Sequence, residues 1–212
     1  MNITEFQHII WDWNGTLFDD VSLCVNIINN VLKKRNLPEL SVDKYRMVFT
    51  IPVENYYSAL GFDFSVESFE KVGKEWMDEY EERKFESNLA AGAFEVLNYL
   101  KSKGIKQSIL SAYKQDTLNE IIDHFKILEF FEHVIGLDHI YATSKLELGM
   151  ELIKNIDAPP GKTLLIGDTV HDCEVAKEIG AQSVLLASGH QSKEKLLSCN
   201  VPVFNSLTEL IE

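Results

Sequence analysis

The sequence contains few cysteines, few basic residues and no long apolar run. Its three cysteines, Cys24, Cys173 and Cys199, are odd in number and widely spaced, which indicates neither a disulfide framework nor a zinc site. Lys and Arg total 20 against 33 Asp and Glu, and the formal net charge of −13 argues against a nucleic-acid partner. The first apolar run is short and interrupted by Asp12, so it resembles neither a membrane span nor a signal peptide. We therefore expect no membrane partner and a reducing cytoplasm as the setting.

What is present is the composition of an ordinary folded protein, with 45% apolar and 25% charged residues in a chain of 212. This length suits one sizeable core, alone or with a smaller satellite domain. The first apolar run, residues 7–13, predicts a strand that is buried on both faces. From Val21 to Leu32 apolar residues recur at three- and four-residue steps, which predicts a helix that Asp19 or Asp20 could cap.

A helical block follows this first strand and helix. Its apolar side chains recur at helical spacing, and Pro52 suits a helix start. The helices predicted in it span residues 41–49, 52–60 and 65–84. No convincing strand occurs before about residue 85. We therefore predict an all-helical cap domain of residues 19–87, inserted into a core formed by residues 1–18 and 88–212.

After this block, strand and helix patterns alternate regularly. The predicted strands cover residues 106–110, 133–137, 163–166, 183–186 and 201–204. The predicted helices cover residues 93–103, 115–125, 146–156, 173–179, 193–198 and 207–211. Repeating βα units of this length imply an α/β fold, namely a doubly wound parallel sheet with helices on both faces.

Polar side chains cluster where the predicted strands end. Asp12, Ser111 and Asp168 each follow a strand, Asp172 comes one helical turn later, and Lys145 precedes a helix. These positions share one edge of a doubly wound sheet, so we expect the side chains to converge. Three carboxylates suit a hard cation such as Mg²⁺, and a hydroxyl with an ammonium suits an anion. Together they suit phosphoryl transfer, in which catalysis is mostly positioning and charge neutralisation.

Each of these residues taken alone also has a purely structural explanation. A single Asp or Ser at a strand end is more often a turn or cap residue, and a single Lys is more often a solvated surface residue. His171 and His190 are expected to face solvent or satisfy a turn, and Trp11 and Trp13 to pack in the core. A functional site is favoured because four independent elements fall in order on one sheet edge.

The motifs resemble those of a known family, the haloacid dehalogenase superfamily. The resemblance covers essentially the whole chain, and the helical block resembles the α-helical cap of the phosphoglycolate-phosphatase-like branch. Gly92 with helix 93–103, and Gly104-Ile105, also match that branch. The four ordered motifs are Asp12-Trp13-Asn14-Gly15-Thr16, Ser111, Lys145, and Gly167-Asp168-Thr169-Val170-His171-Asp172.

The resemblance implies a covalent mechanism with a metal. Asp12 would be the nucleophile that forms an aspartyl-phosphate. Mg²⁺ would be held by Asp12, the main-chain carbonyl of Asn14 and Asp168, with Asp172 as a further ligand or as an anchor for the waters on the metal. The resemblance also implies that the substrate is a small phosphorylated metabolite.

The same resemblance implies a set of phosphate-binding groups. Ser111 and Lys145 would bind the transferring phosphoryl group, and main-chain N–H groups of Trp13, Asn14 and Ala112 would complete the cradle. A closing cap would exclude water and contact the rest of the substrate. Tyr45, Arg46, Asn55 and Tyr56 are candidates for lining that part of the pocket.

Asn14 departs from the family pattern, in which this position is usually an aspartate that handles the proton of the leaving group. An amide cannot transfer a proton at neutral pH, and general acid–base catalysis is worth about 10²–10⁴-fold. The substrate could have a good leaving group, His171 or a cap residue could supply the proton, or turnover could be so slow that the protein binds or regulates instead.

Two other enzyme classes of the same superfamily are alternatives to a phosphatase. A dehalogenase also lacks the second acid and needs no metal, but the motif from Gly167 to Asp172 favours metal and phosphate. A phosphonate-cleaving enzyme would use a cap lysine as a Schiff base. Lys33, Lys34 and Lys44 are candidates for that role, although all three are expected on solvated helix faces.

Overall fold

The computed structural model describes residues 1–137, 145–159 and 161–212. Within them a six-stranded sheet has the strand order β5-β4-β1-β6-β7-β8, and every pairing in it is parallel. Its strands are β1 (His8–Trp11), β4 (Lys106–Lys114), β5 (His133–Leu137), β6 (Thr163–Gly167), β7 (Gln182–Leu186) and β8 (Val203–Phe204). The sheet confirms the predicted α/β fold.

Helices cover both faces of this sheet. Successive side chains of a strand point to opposite faces, and the buried β1 residues follow this rule. Ile9 packs in the cluster that holds the buried residues of α5 (Ala93–Ser102) and α6 (Gln115–His124), whereas Ile10 packs with α7 (Leu146–Asn155) and α8 (Val170–Glu178). A last helix, α9 (Lys193–Leu197), precedes β8.

The inserted block is helical, as predicted. It consists of α1 (Val21–Lys33), α2 (Val42–Val48), α3 (Val53–Ala59) and α4 (Phe69–Arg83). Ser41 and Ser68 cap α2 and α4 by accepting hydrogen bonds from main-chain N–H groups of the first turn. The helices confirm the cap's secondary structure, and the boundaries at residues 19 and 87 stay a prediction. Among the described residues, every helix is too short or too polar to cross a bilayer.

A small second sheet, which the sequence did not predict, lies where the chain enters and leaves this helical block. Strands β2 (Phe18–Asp19) and β3 (Asn88–Leu89) pair antiparallel, with Phe18 opposite Leu89 and Asp19 opposite Asn88. Each strand is two residues long, which is too short to show an alternating pattern. This two-stranded ribbon of β2 and β3 holds side by side the two segments that connect the helical block to the core.

Several predicted boundaries were wrong. Strand β4 continues past Leu110 to Lys114, with a register shift against β5, so Ser111 lies within the strand rather than after it. Helix α8 begins at Val170 instead of residue 173, because Thr169 and Asp172 form a capping box. The predicted last helix is a short 3₁₀ turn, Thr208–Leu210.

Candidate active site

Asp12 and Lys145 meet at the carboxyl edge of the sheet. Asp12 directly follows β1, and its main-chain N–H donates to the carbonyl of Ile166 on the neighbouring strand. Lys145 lies at the N-cap position of α7 and is only 2% exposed. Its Nζ lies 2.5 Å from Asp12 Oδ1 and donates to the Leu110 carbonyl at 3.1 Å. The predicted carboxylate and ammonium therefore form a buried ion pair.

Asp172 holds the same ammonium from its other side. Lys145 Nζ lies 2.6 Å from Asp172 Oδ1. The other carboxylate oxygen, Oδ2, accepts hydrogen bonds from the N–H and the hydroxyl of Thr169, at 2.9 and 2.6 Å. Both oxygens of Asp172 are thus engaged, and its position is fixed by the first turn of α8.

The charges of this cluster shift one another's protonation. Burial raises the pKa of Asp12 to about 6, against the opposing effect of Lys145. Burial alone would lower the pKa of Lys145, but Asp12 and Asp172 raise it above its usual range. Burial also opposes ionisation of Asp172, yet Lys145 and Thr169 hold its pKa below the usual value. At neutral pH the cluster is a charged lysine between two carboxylates.

Asp168 completes the acidic group and lies in a tight cradle of main chain. Its Oδ2 accepts the N–H of His190 at 2.5 Å, and its Oδ1 lies 3.4 Å from the Thr16 hydroxyl. A Cβ at Gly15 or Gly189 would overlap the Asp168 carboxylate, so only glycine allows the chain to approach this closely. Burial raises the pKa of Asp168 well above its usual value.

The donor set fits a hard divalent cation. Asp12, Asp168 and Asp172 each present a carboxylate oxygen, and these oxygens lie within 4.8 Å of one another. All three side chains are buried, and a bound cation would offset both the burial and the repulsion from Asp12 and Asp172 that raise the pKa of Asp168. Oxygen-only ligands of this kind suit Mg²⁺.

Ser111 and Ala112 line the same cavity as Asp12 and Lys145. The Ser111 oxygen accepts the main-chain N–H of Tyr113 at 3.0 Å, which leaves its own O–H to donate to a ligand. The main-chain N–H of Trp13 faces the Asp12 carboxylate and helps to lower its pKa against the effect of burial. The Trp13 ring is fully buried and stacks on Phe18 at 5.5 Å, as expected of a core residue.

The amide of Asn14 is held by two residues that the sequence did not place in the site. Its Nδ2 donates to Asp20 Oδ2 at 2.8 Å and to the Tyr80 hydroxyl at 2.9 Å. The Tyr80 hydroxyl donates in turn to the same Asp20 oxygen at 2.6 Å. Tyr80 belongs to α4, so this network joins the first motif to the cap.

The expectation for His190 was wrong. Its side chain is buried rather than solvated, and Nε2 lies 3.2 Å from Asp20 Oδ1 while Nδ1 shares a hydrogen bond with the Tyr45 hydroxyl at 2.8 Å. Burial opposes protonation, but Asp20 raises the pKa of His190 to about 9. Asp20 occupies the N-cap position of α1, as the sequence allowed, but its side chain makes no cap bond and serves this ion pair instead.

Of the remaining predicted residues, some line the cavity and others do not. Tyr45 and Tyr56 line a cavity of about 180 Å³ that runs from Asp12 into the cap, and His171 lines it as well. Arg46 does not line it but binds the carbonyls of core residues, and Asn55 is exposed on α3. The three candidate Schiff-base lysines are all exposed, outside the cavity: Lys33, Lys34 and Lys44.

The comparisons with known proteins agree with this architecture. Residues 9–186 match the haloacid dehalogenase-like hydrolase family. The chain belongs to this family. The resemblance inferred from the motifs and the prediction of a hydrolase are thus confirmed.

Individual relatives are distant. A phosphoglycolate phosphatase from Caulobacter vibrioides is 28% identical over 190 residues, which cover 86% of this chain and 79% of that protein. The tyrosine-protein kinase PtkA of Mycobacterium tuberculosis is 24% identical over 186 residues, 87% of this chain and 63% of the kinase. The structure of a haloacid dehalogenase-like hydrolase from Streptococcus pneumoniae shares the fold, with a TM-score of 0.83 at 19% identity and 98% of each chain covered.

Proposed function

We propose that this hydrolase is a Mg²⁺-dependent phosphatase that acts on a small phosphorylated metabolite, with Asp12 as the nucleophile. The observation that carries the proposal is the buried contact of Asp12 with Lys145, in a cavity that Ser111 and Asp168 also line. The match to a protein named as a phosphoglycolate phosphatase supports the same class of reaction.

The reaction proceeds in two displacements. An Asp12 carboxylate oxygen attacks phosphorus, the bond from phosphorus to the ester oxygen breaks, and the leaving group departs with the electron pair. Water then attacks the aspartyl-phosphate, which releases inorganic phosphate and restores the carboxylate. Lys145 keeps its charge beside Asp12 throughout, because Asp172 anchors it at 2.6 Å.

The chain supplies donors for the phosphoryl oxygens. The Ser111 hydroxyl, the Lys145 ammonium and the main-chain N–H groups of Trp13, Asn14 and Ala112 bind them as charge develops. Asp12, the Asn14 carbonyl and Asp168 would hold Mg²⁺, with Asp172 beside them to hold Lys145 and to orient waters. When bound, the metal neutralises charge on the phosphoryl group.

The leaving group receives little help with its proton. The Asn14 amide cannot transfer one, and its N–H₂ is already committed to Asp20 and Tyr80. Although Asp20 is buried, His190, Tyr80 and Asn14 lower its pKa, so it stays a carboxylate with no proton to give. The enzyme should therefore favour substrates whose leaving group is stable as an anion, such as aryl or acyl phosphates.

The test is phosphate release from p-nitrophenyl phosphate and a panel of metabolites in the presence of Mg²⁺. We expect Asp12→Asn to lose at least about 10³-fold of kcat/KM, because it removes the nucleophile while keeping the shape of the side chain. Asp19→Asn is the matched control, since Asp19 is exposed on β2 outside the cavity. If the wild-type protein releases no more phosphate than Asp12→Asn from every compound, the proposal is wrong.

A further inference from the structure

The part of the cavity that lies beyond the catalytic edge is walled by uncharged side chains. The cap contributes aromatic and aliphatic groups from α3, α4 and the segment between α2 and α3. They include Phe49, Tyr56, Tyr57, Phe69, Trp76 and Met77. The substrate atoms farthest from phosphorus must therefore contact rings and hydrocarbon.

The Lys145 ammonium and the His190 imidazole on the described cavity wall are already paired with carboxylates. Lys145 lies between Asp12 and Asp172, at 2.5 and 2.6 Å. His190 lies 3.2 Å from Asp20. His171 is held by one nitrogen only, because Nδ1 lies 3.5 Å from the carboxylate of Glu174 whereas Nε2 is buried with no hydrogen-bond partner. An anionic leaving group would thus lose its water here without gaining a counter-ion, which disfavours its binding.

Two polar atoms on this wall are buried without a hydrogen-bond or ion-pair partner among the described residues, namely Tyr56 Oη and His171 Nε2. Tyr56 is 2% exposed, and its Oη makes no hydrogen bond within the protein. A buried polar atom without a partner has lost its hydrogen bonds to water, so a ligand atom that bonds Tyr56 Oη is favoured over one that does not. Beside Tyr56 the cavity therefore suits a mostly apolar group that carries one neutral polar atom.

We propose that the substrate of this site is a phosphate monoester of an uncharged phenol, whose ring occupies the aromatic cavity and whose neutral substituent bonds Tyr56. This inference rests on the proposed phosphatase function and names its substrate class. It joins two independent features, because a phenolate also departs without the proton that Asn14 cannot supply. Phosphoglycolate is a poor substrate by the same argument, since its carboxylate would face the uncharged wall.

The test compares two aryl phosphates that differ in charge at one position. For 4-carbamoylphenyl phosphate we expect kcat/KM at least about tenfold above that for 4-carboxyphenyl phosphate and for phosphoglycolate, because only the last two bring an unpaired carboxylate into the cavity. Asp12→Asn gives the background rate for each compound.

A variant that places a positive charge in the cavity wall tests whether the missing counter-ion causes the preference for uncharged substrates. Met77 lines the cavity and is half-buried on α4, so Met77→Lys can present an ammonium there, whereas Met77→Gln has similar length without the charge. We expect Met77→Lys to lower the preference for the carbamoyl compound about fivefold or more, and Met77→Gln to leave it within about twofold.

Failure of this inference is distinguishable from failure of the proposed function. If phosphoglycolate or the carboxylate compound is the better substrate and Asp12→Asn abolishes its turnover, the phosphatase stands and the neutral-phenol inference is overturned. If no compound is turned over above the Asp12→Asn background, the proposed function fails. The affinities of two non-hydrolysable phosphonates then test the charge preference of the cavity. Benzylphosphonate binding at least about tenfold tighter than 4-carboxybenzylphosphonate in Mg²⁺ then supports an uncharged aromatic ligand for the cavity, and equal or reversed affinities overturn that part of the inference too.

Discussion

Asn14 lies beside the nucleophile, but its side chain serves as a structural hydrogen-bond donor rather than as a proton-transfer group. Its amide bonds Asp20 and Tyr80, so it ties the first motif to helix α4 of the cap. The residue keeps its place beside the nucleophile, yet the group that it presents there is a hydrogen-bond donor already in use. The identity of this residue therefore bears on leaving-group chemistry rather than on metal binding.

Asn14→Asp tests this division. The substitution restores a side chain that can transfer a proton, so we expect kcat/KM for alkyl phosphates to rise about tenfold or more. Hydrolysis of p-nitrophenyl phosphate should change little, because its leaving group needs no protonation. Steady-state kinetics on both substrates measure the effect. An unchanged rate on alkyl phosphates would mean that the proton comes from elsewhere or is not needed.

His8 gives the protein a specific sensitivity to acid. It is fully buried on β1 beside Ser108, and this burial lowers its pKa to about 4. The unfolded chain, with the ordinary value of 6.5, takes up the proton first as the pH falls. Stability from this residue is therefore complete above pH 6.5 and is lost toward pH 4, by about 3 kcal/mol.

Urea unfolding of His8→Gln across that pH range measures this loss. We expect the variant to lose less stability between pH 7 and pH 4 than the wild-type protein does. His124→Gln serves as control, because His124 is exposed and its replacement should leave the wild-type slope in place. Parallel pH curves for the wild type and His8→Gln would contradict the assignment.

Among individual residues, the sequence predicted site residues near the ends of strands. It did not predict residues that contact the site only because distant segments of the chain meet in the fold. Asp12, Lys145 and Asp168 could be named because strand ends of a parallel sheet share an edge, and Ser111 lines the same cavity although β4 continues past it. Asp20 and His190 are 170 positions apart and meet only through the fold. No local pattern distinguishes His190 from a solvated histidine, so its burial could not be predicted.

At the scale of elements, helix α2 and the loop after β7 form a clasp between cap and core. Arg46 donates to the carbonyls of Gly189 and Ser188 at 2.8 and 2.6 Å, and its own carbonyl accepts the Ser192 N–H at 3.1 Å. The same loop carries Gln191, whose amide donates to the Phe49 carbonyl at 3.1 Å. The clasp holds α2 against the loop whose His190 N–H binds Asp168.

Arg46→Ala should loosen this clasp without touching the cavity. We expect a KM several-fold higher with a smaller change in kcat, and faster hydrogen exchange in α2, because closure loses two side-chain hydrogen bonds. Lys44→Ala, an exposed position on the same helix, is the control. Identical exchange in Arg46→Ala and the wild type would show that the clasp does not hold the cap.

The elements themselves were predicted with uneven success for a physical reason. Long helices such as α1 and α4 repeat their apolar side chains over several turns, and this pattern survives in the sequence. The ribbon of β2 and β3 has two residues per strand, and its pairing depends on segments about 70 positions apart. The extension of β4 through Ser111 likewise depends on its neighbour β5.

For the whole molecule, metal binding should contribute to stability. Asp12 and Asp168 are buried carboxylates that repel each other, so Mg²⁺ should bind the folded chain and not the unfolded one. At 100 times the dissociation constant, such binding adds about 2.7 kcal/mol, or several degrees in Tm. Thermal unfolding with Mg²⁺ and with EDTA measures this difference.

Two variants test whether the Mg²⁺-dependent rise in Tm comes from the cluster of Asp12, Asp168 and Asp172. Asp168→Asn should remove most of the Mg²⁺-dependent rise in Tm, because it deletes a proposed ligand. Glu174→Gln should keep the rise, since Glu174 is an exposed acidic residue on the adjoining helix. A rise of equal size in Asp168→Asn would place metal binding elsewhere in the molecule.

The ribbon of β2 and β3 also bears on how the chain assembles. Asp19 and Asn88 face each other across it, so the whole helical block leaves the core and returns to it at one point. Closing a loop costs entropy that grows only with the logarithm of its length, and a long insert is therefore tolerated here almost as easily as a short turn. The ribbon therefore gives the helical block a single point of attachment, and loop closure sets little limit on the length of a segment inserted between Asp19 and Asn88.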